Sequence, residues 1–112
     1  MLNLLFVYGT LRSEFDNPGA RLLRSRARLV RRATVPGSIY HIGHYPGFRP
    51  EPAGEVHGEL YLLSRPEATL ADLDDYEGPN FERVILSGAW IYRYRHTPPE
   101  SQLIASGDFC IP

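Results

Sequence analysis

One segment constrains the fold of this chain more than any other: residues 3–8, a nearly continuous apolar run that ends at Gly9. A strand with one solvated face alternates apolar and polar residues, whereas an unbroken apolar run is typical of a strand buried on both faces. We therefore predict a central β-strand over residues 3–8. The 112 residues should pack around it as a single domain, residues 1–112, because shorter pieces would be too small for separate cores.

The composition excludes several function classes. A formal net charge of −1 gives no general attraction to nucleic acid or to anionic lipid, so we predict neither a nucleic-acid partner nor a membrane partner. The apolar run at the start lacks a basic segment before it and is too short for a signal peptide or a membrane span. Cys110 is the sole cysteine, which rules out an internal disulfide or a cysteine-built zinc site and fits a reducing cytoplasm.

Short strands and turn signals dominate the rest of the chain. Residues 43–54 hold three prolines and three glycines, so we expect a loop there, and neither a regular helix nor a central strand. The pattern predicts a short helix over 18–26 and strands over about 28–35, 38–42, 56–62, 81–86 and 90–94. These elements predict an α+β fold, with a mixed, curled or barrel-like sheet and one or two short helices.

A second helix is predicted over residues 65–77. Ser64 and Glu67 have the spacing of a capping box, in which the serine hydroxyl accepts a backbone N–H and the glutamate reaches back to the cap. Gly78-Pro79 supplies the stop, because glycine can take a left-handed conformation and proline cannot continue the helix.

This helix directs one acidic residue toward its apolar side. At 3.6 residues per turn, Leu70, Leu73 and Glu77 share a face. Periodicity alone fits two interpretations: a carboxylate held near the core, or a glutamate that reaches solvent from a frayed helix end. The remaining acids of this stretch are expected on the solvated surface: Asp72, Asp74 and Asp75.

The turn that follows the first strand is the second candidate feature. Tyr8-Gly9-Thr10-Leu11 presents successive backbone N–H groups at the end of a sheet, and Gly9 permits both an unusual φ angle and the close approach of a ligand. Such a turn can bind an anion or an oxyanion. An ordinary strand-ending turn also needs only a single glycine, so the residues alone do not choose between the two.

Two motifs in this order resemble the γ-glutamylcyclotransferase-like family, also called AIG2-like: Phe6-Val7-Tyr8-Gly9-Thr10-Leu11-Arg12 and, some sixty residues later, Leu73-Asp74-Asp75-Tyr76-Glu77-Gly78. The resemblance spans nearly the whole chain. Further similar features are Tyr45-Pro46-Gly47, Gly58-Glu59-Leu60-Tyr61, Arg83 and Ser106-Gly107-Asp108-Phe109. The chain departs from the family at Phe81, where relatives often have a tyrosine.

The resemblance implies an enzyme that cyclises a small γ-glutamyl amine or peptide to 5-oxoproline and a free amine. It assigns the catalytic acid/base to Glu77 and substrate binding to the turn Tyr8, Gly9, Thr10 and Leu11, with Tyr45 and Arg83 as further substrate-binding residues. The substrate's α-amine attacks its own γ-carbonyl, so few catalytic groups are needed. This chemistry implies neither a metal nor an organic cofactor.

Other interpretations remain open at this point. The same scaffold could serve as a noncatalytic module that binds a small molecule or a partner. His41 and His44 lie in a β or loop region, where their spacing does not favour a metal site. A basic stripe could bind an acidic partner or RNA, although a solvated face is the simpler interpretation: Arg21, Arg24, Arg26, Arg28, Arg31 and Arg32.

Overall fold

A five-stranded mixed sheet and a separate two-stranded hairpin form the fold of the computed structural model, which describes residues 1–111. The elements in chain order are β1 (Leu4–Val7), α1 (Pro18–Arg26), β2 (Ala27–Pro36), β3 (Ser38–Ile42), β4 (Tyr45–Arg49), β5 (Glu55–Leu63), α2 (Pro66–Glu77), β6 (Phe81–Leu86), β7 (Ala89–Tyr94) and a 3₁₀ turn (Glu100–Gln102). The predicted α+β class is confirmed.

The sheet has the strand order β2-β5-β1-β7-β6, which places β1 in its centre. β1 runs parallel to β7 and antiparallel to β5, and the two remaining pairs of neighbours are antiparallel. The sheet ends in β2 and β6, so it is curled but does not close into a barrel. The prediction of a mixed sheet with a central first strand is therefore confirmed.

Apolar layers cover both faces of β1, as its unbroken apolar run requires. On one face Leu5 and Val7 pack in a cluster with Leu23 of α1 and Leu70 and Leu73 of α2. On the opposite face a second cluster joins β1 to the β3–β4 hairpin, and its buried members include Phe6, Ile39 and Phe48. The position of α2 against the first face brings the C-terminal end of the helix to the end of β1.

The structure corrects the expectation that residues 43–54 form only a loop. Residues Tyr45–Arg49 are strand β4, which pairs with β3 in the two-stranded hairpin. Pro46 is compatible with this strand because β4 has a neighbouring strand on one side only. The other side of β4 therefore needs no backbone N–H donors. The prediction that no helix and no central strand occurs there holds.

The predicted capping box at the start of α2 was wrong. The N-cap of α2 is Arg65, and no side chain caps the helix there. Ser64 Oγ instead donates a hydrogen bond of 2.9 Å to the carbonyl of Arg26, which ties the start of α2 to the end of α1. The helix begins at Pro66, which fits a first turn because the N–H groups there have no partner within the helix. Neither α-helix within residues 1–111 is long and apolar enough to cross a membrane.

A buried arginine behind the end of β1 ties the C-terminal segment to the fold. The Arg12 side chain is 1% exposed, and its Nη1 donates to Asp108 Oδ1 at 2.8 Å. Its Nε and Nη2 donate to the two carboxylate oxygens of Glu14 at 3.2 and 2.7 Å. One guanidinium therefore compensates two carboxylates, as its planar fork of donors allows.

Replacement of this buried cation should strongly destabilise the protein. We expect Arg12→Met to lower the free energy of unfolding by about 3 kcal/mol, because Asp108 and Glu14 would lose a buried counter-charge. Urea denaturation at neutral pH measures the change. The matched control is Arg21→Met, since Arg21 forms an exposed ion pair with Asp16 and its loss should leave the denaturation midpoint nearly unchanged. Equal midpoints for the two variants would contradict this role of Arg12.

Candidate active site

A pocket opens where β1 ends, between the C-terminal end of α2 and the β3–β4 hairpin. Four separate parts of the chain supply its wall: the end of β1 with the following turn, the hairpin, the end of α2, and β7. Its lining residues are Phe6, Val7, Tyr8, Gly9, Thr10, Leu11, Tyr45, Pro46, Glu77 and Tyr92. The structure thus brings together every residue predicted for the site except Arg83.

The turn after β1 lines this pocket and contains backbone donors without a protein acceptor. A hydrogen bond of 3.0 Å from the Arg12 N–H to the Gly9 carbonyl closes the turn. Within residues 1–111, the backbone N–H groups of Thr10 and Leu11 donate to no protein acceptor. Two adjacent free N–H groups in a turn can bind a carboxylate or an oxyanion.

One of the two reasons predicted for Gly9, an unusual φ angle, is wrong. Its φ angle is not in the left-handed region, so an unusual backbone conformation does not explain the glycine. A Cβ atom at this position would instead lie 2.6 Å from Cγ and 2.8 Å from Cδ of Pro46. Gly9 therefore allows the hairpin to approach the turn and close one side of the pocket.

Asn17 holds the turn from the side of the helices, a role that the sequence analysis missed. Its Nδ2 donates to the Thr10 carbonyl at 2.8 Å. Its Oδ1 accepts from the Ala20 N–H at 2.8 Å, as the N-cap of α1, and from the Tyr76 hydroxyl at 3.2 Å. A single side chain thus connects the turn to α1 and to the end of α2, next to Glu77.

A buried carboxylate holds the chain just after the turn. Glu59, on β5, is 1% exposed and accepts hydrogen bonds from the backbone N–H of Ser13 at 2.7 Å and from the Ser13 hydroxyl. The Tyr61 hydroxyl donates to the same carboxylate at 3.3 Å. Glu59 therefore attaches the residues just after the turn to strand β5. In the sequence, Glu59 alternates with apolar residues as any polar strand residue would, so this role could not be predicted.

Glu77 is the ionisable carboxylate of the pocket wall. It is the last residue of α2, it is partly buried, and the helix ends on Gly78 with φ 83°. Burial raises the pKa of Glu77 to about 7, and the nearby negative charge of Asp74 adds to the shift. The spacing with Leu70 and Leu73 therefore corresponds to a carboxylate near the apolar core, and not to one that reaches freely into solvent.

The Tyr8 hydroxyl is used within the protein. It donates to the Tyr92 carbonyl at 2.7 Å and accepts from the Phe48 N–H at 3.2 Å. Burial, followed by the charge of Glu77, raises the pKa of Tyr8 well above its usual value. Tyr8 thus connects β1, β7 and the hairpin while its ring lines the pocket.

Tyr45 also lines the pocket, from the start of β4. Its ring centroid lies 5.7 Å from that of Phe81, which in turn lies 5.6 Å from Tyr94. Phe81 is 7% exposed, so its ring occupies the apolar interior at the position where relatives often have a tyrosine. These contacts fix the Tyr45 ring at the edge of the pocket.

Arg83 lies behind the pocket and not in its lining. Its Nε and Nη2 donate to the two carboxylate oxygens of Asp74 at 2.9 and 3.1 Å, and its guanidinium lies 4.2 Å from the centroid of the Trp90 ring. The Tyr92 hydroxyl donates to Asp74 Oδ1 at 2.7 Å. The prediction that Asp74 lies on the solvated surface therefore holds only in part: its side chain is 41% exposed, but one arginine and one tyrosine bind its carboxylate.

Asp72 and Asp75 of α2 are exposed, as predicted. Asp72 forms an ion pair with Arg26 at 2.7 Å, so the acidic helix and the basic stripe meet at this point. Among residues 1–111, no group of three His, Cys, Asp or Glu side chains is placed so that it could hold a metal ion.

Comparison with known proteins identifies a family and several relatives of this chain. The family described as gamma-glutamyl cyclotransferase, AIG2-like, matches residues 5–111. A relative from Vibrio cholerae is 39% identical over 117 residues, which cover 98% of this chain and 97% of the relative. The gamma-glutamylcyclotransferase family protein YtfP of Escherichia coli strain K12 is 35% identical over 112 residues, which cover 94% of each chain.

Solved structures of similar proteins have the same fold. The solution structure of Escherichia coli YtfP matches with a TM-score of 0.70 and 33% identity and covers 95% of each chain. The crystal structure of an AIG2-like protein from Mus musculus matches with a TM-score of 0.70 and 25% identity, over 88% of this chain and 80% of the other.

The burial of Glu77 should be visible in the pH dependence of stability. Because the folded state raises its pKa from 4.5 to about 7, the folded protein holds a proton that the unfolded chain releases, and the contribution of Glu77 to stability falls as pH rises through this interval. Glu77→Gln should therefore be about 1–3 kcal/mol more stable than the wild type at pH 8. That difference should shrink toward zero at pH 5.

Urea denaturation at pH 5, 6, 7 and 8 measures this effect. Glu67→Gln is the matched control, because Glu67 lies exposed in the first turn of the same helix and its replacement removes no buried charge. A Glu77→Gln variant that is no more stable than the wild type at pH 8 would contradict the burial of an ionised carboxylate at this position.

Proposed function

Because this chain belongs to the gamma-glutamyl cyclotransferase, AIG2-like, family, we propose that it converts a γ-glutamyl amine or peptide into 5-oxoproline and a free amine. The observation that carries the proposal is that one pocket is lined both by a carboxylate, Glu77, and by Thr10 and Leu11, whose N–H groups have no protein acceptor within residues 1–111. The proposed role of Glu77 is general base and then general acid.

The two N–H groups supply the electrostatic part of the site. A γ-glutamyl compound carries an α-carboxylate, and its cyclisation passes through a tetrahedral oxyanion. Fixed backbone donors stabilise either of these negative charges, since the turn already holds them in place before the ligand arrives. No lysine, arginine or histidine lines the pocket, so these donors carry the recognition of negative charge in this proposal.

Glu77 moves the proton. The ionised carboxylate takes a proton from the α-ammonium group of the substrate, and the free amine then attacks the γ-carbonyl carbon to form the five-membered ring. The tetrahedral intermediate collapses when the bond to the leaving nitrogen breaks. Protonated Glu77 returns its proton to that nitrogen, and the second proton of the ring nitrogen passes to the departing amine, which leaves as an ammonium ion. A carboxyl group with a pKa of about 7 suits both steps near neutral pH.

The remaining predicted residues have supporting roles in this proposal. Tyr45 and Pro46 cover the ligand from the hairpin, and the buried ring of Tyr8 shapes the pocket floor. Arg83 acts on the substrate only indirectly, because its guanidinium is held by Asp74 behind the wall. We place this reaction in the cytoplasm, where the exposed thiol of Cys110 would stay reduced.

The decisive test is the formation of 5-oxoproline from a panel of γ-glutamyl compounds, detected by mass spectrometry. The panel contains γ-glutamyl amino acids, γ-glutamyl amines, glutathione and γ-glutamyl-ε-lysine. Glu77→Gln should lower the single-turnover rate on the active compound about 10²–10⁴-fold, because an amide cannot accept the ammonium proton. Ligand binding should persist, since glutamine has nearly the same shape.

Asp75→Asn is the control for this substitution. Asp75 lies two residues before Glu77 in the same helix and is exposed, so its neutralisation should leave the rate unchanged. Wild-type turnover by Glu77→Gln would refute the catalytic role. If the wild-type protein converts no compound of the panel, a binding module on this scaffold becomes the better interpretation.

The rate should also depend on pH in a defined direction. Because the ionised form of Glu77 accepts the proton, kcat/KM should rise as pH increases from 5.5 and level off above a midpoint of about 7. A profile of initial rates at pH 5.5–8.5 measures this dependence. A flat profile below pH 7 on the active substrate would show that a group other than Glu77 takes the proton.

A further inference from the structure

Tyr92 lines the pocket, and the reaction described above leaves its hydroxyl group without a role. It lies on β7, its side chain is 4% exposed, and it lines the pocket together with Glu77. Its hydroxyl donates to Asp74 Oδ1 at 2.7 Å. Burial first, and then the hydrogen bond to Asp74, raise the pKa of Tyr92 far above its usual value, with a smaller contribution from the charge of Glu77. The hydroxyl thus stays protonated, and it lies near enough to Glu77 to respond to that charge.

The bond to Asp74 determines what this hydroxyl can offer a ligand. A phenol has a single hydrogen to donate and lone pairs to accept with. Because a carboxylate takes that hydrogen in a short bond, the hydroxyl oxygen can act toward the pocket only as an acceptor. A tyrosine without such a partner could donate or accept equally well.

Asp74 is itself held in place, so the orientation of the Tyr92 hydroxyl is fixed before a ligand binds. Arg83 donates hydrogen bonds to both oxygens of the carboxylate, and its guanidinium packs against the Trp90 ring. Burial by itself would raise the pKa of Asp74, but the hydrogen bonds from Arg83 and Tyr92 lower it below its usual value. Asp74 therefore remains an ionised acceptor for the Tyr92 proton.

We propose that the Tyr92 hydroxyl oxygen accepts a hydrogen bond from the α-ammonium group of the ligand, with Asp74 and Arg83 as the positioning residues that keep this oxygen an acceptor. The identity of that group rests on the proposed function. The ammonium group then lies between two acceptors, the Tyr92 oxygen and the Glu77 carboxylate. No cationic side chain in the pocket lining opposes it.

This contact also orients the nucleophile. After Glu77 removes one proton, the amine retains two N–H bonds and gains a lone pair. A hydrogen bond from one N–H to Tyr92 restricts rotation about the Cα–N bond, so the lone pair can be directed at the γ-carbonyl. Such orientation of tethered reactants is a major part of the rate gain in intramolecular reactions.

The test compares L-glutamate with glutarate, two probes that differ only by the α-ammonium group. Their dissociation constants are measured by NMR titration at pH 8, where Glu77 is ionised, for the wild type, Tyr92→Phe and Tyr61→Phe. Tyr61→Phe is the matched control, because its hydroxyl also donates to a buried carboxylate, Glu59, but lies outside the pocket lining. The preference for L-glutamate over glutarate is the readout.

We expect the wild type and Tyr61→Phe to bind L-glutamate more than about tenfold more tightly than glutarate, and Tyr92→Phe to lose about tenfold of this preference. A general loosening of the pocket would weaken both probes equally and leave the ratio unchanged. An unchanged ratio in Tyr92→Phe overturns the proposal, and so does a wild type that does not distinguish the probes.

A second pair of variants covers the case in which Tyr92→Phe does not fold. Asp74→Asn and Asp74→Leu both remove the negative charge, but only asparagine keeps an oxygen that can accept the Tyr92 proton. The proposal expects the preference for L-glutamate to fall several-fold further in Asp74→Leu than in Asp74→Asn. Equal ratios in the two variants would overturn it.

Turnover measured in parallel separates this inference from the function itself. If the wild type forms 5-oxoproline but Tyr92→Phe keeps the full preference for L-glutamate, the role of Tyr92 is refuted and the cyclisation stands. The opposite outcome is also informative. If the wild type converts none of the γ-glutamyl compounds, but it prefers L-glutamate to glutarate and Tyr92→Phe loses that preference, the cyclisation is refuted and the ammonium contact at Tyr92 stands.

Discussion

The site depends on buried polar contacts that fix the turn at the end of β1. Glu59 binds the backbone and hydroxyl of Ser13, Asn17 binds the Thr10 carbonyl, and Arg12 ties the exit of the turn to the C-terminal segment. Each buried polar group would destabilise the fold if it lacked a partner. Because their partners come from distant parts of the chain, the free N–H groups of Thr10 and Leu11 are held in position before any ligand arrives.

The surroundings shift the pKa values of two carboxylates in one helix in opposite directions. Asp74 and Glu77 are three residues apart in α2, yet the pKa of Asp74 is lowered and that of Glu77 is raised. The difference arises because Arg83 and Tyr92 bind Asp74, whereas burial acts on Glu77 without a cation beside it. Environments that drive the pKa values of neighbouring acids apart assign them different roles. Asp74 stays charged and structural, and Glu77 can gain and lose a proton.

The central strand was predictable because it depends on local periodicity, whereas for Glu77 periodicity gave the helix face but did not decide between the core and solvent. An unbroken apolar run identifies β1, and the spacing of Leu70, Leu73 and Glu77 places the carboxylate on the buried side of α2. Three contacts were not predictable, since the partners lie 9 to 59 positions apart in the sequence: Asp74 with Arg83, Glu59 with Ser13 and Asn17 with Tyr76. The spacing of Asp74 and Glu77, one helical turn apart, is the one signal that could have identified Asp74.

At Gly9 the absence of a side chain matters more than backbone freedom. Glycine in a turn suggests a left-handed backbone, but here the absent side chain makes room for Pro46 of the hairpin. Pro46 makes this contact from strand β4, whose backbone pairs with β3. The hairpin, the turn and the end of α2 therefore enclose the pocket together. A ligand between them loses water on several sides, which strengthens every electrostatic contact that Glu77 and the two N–H groups can make.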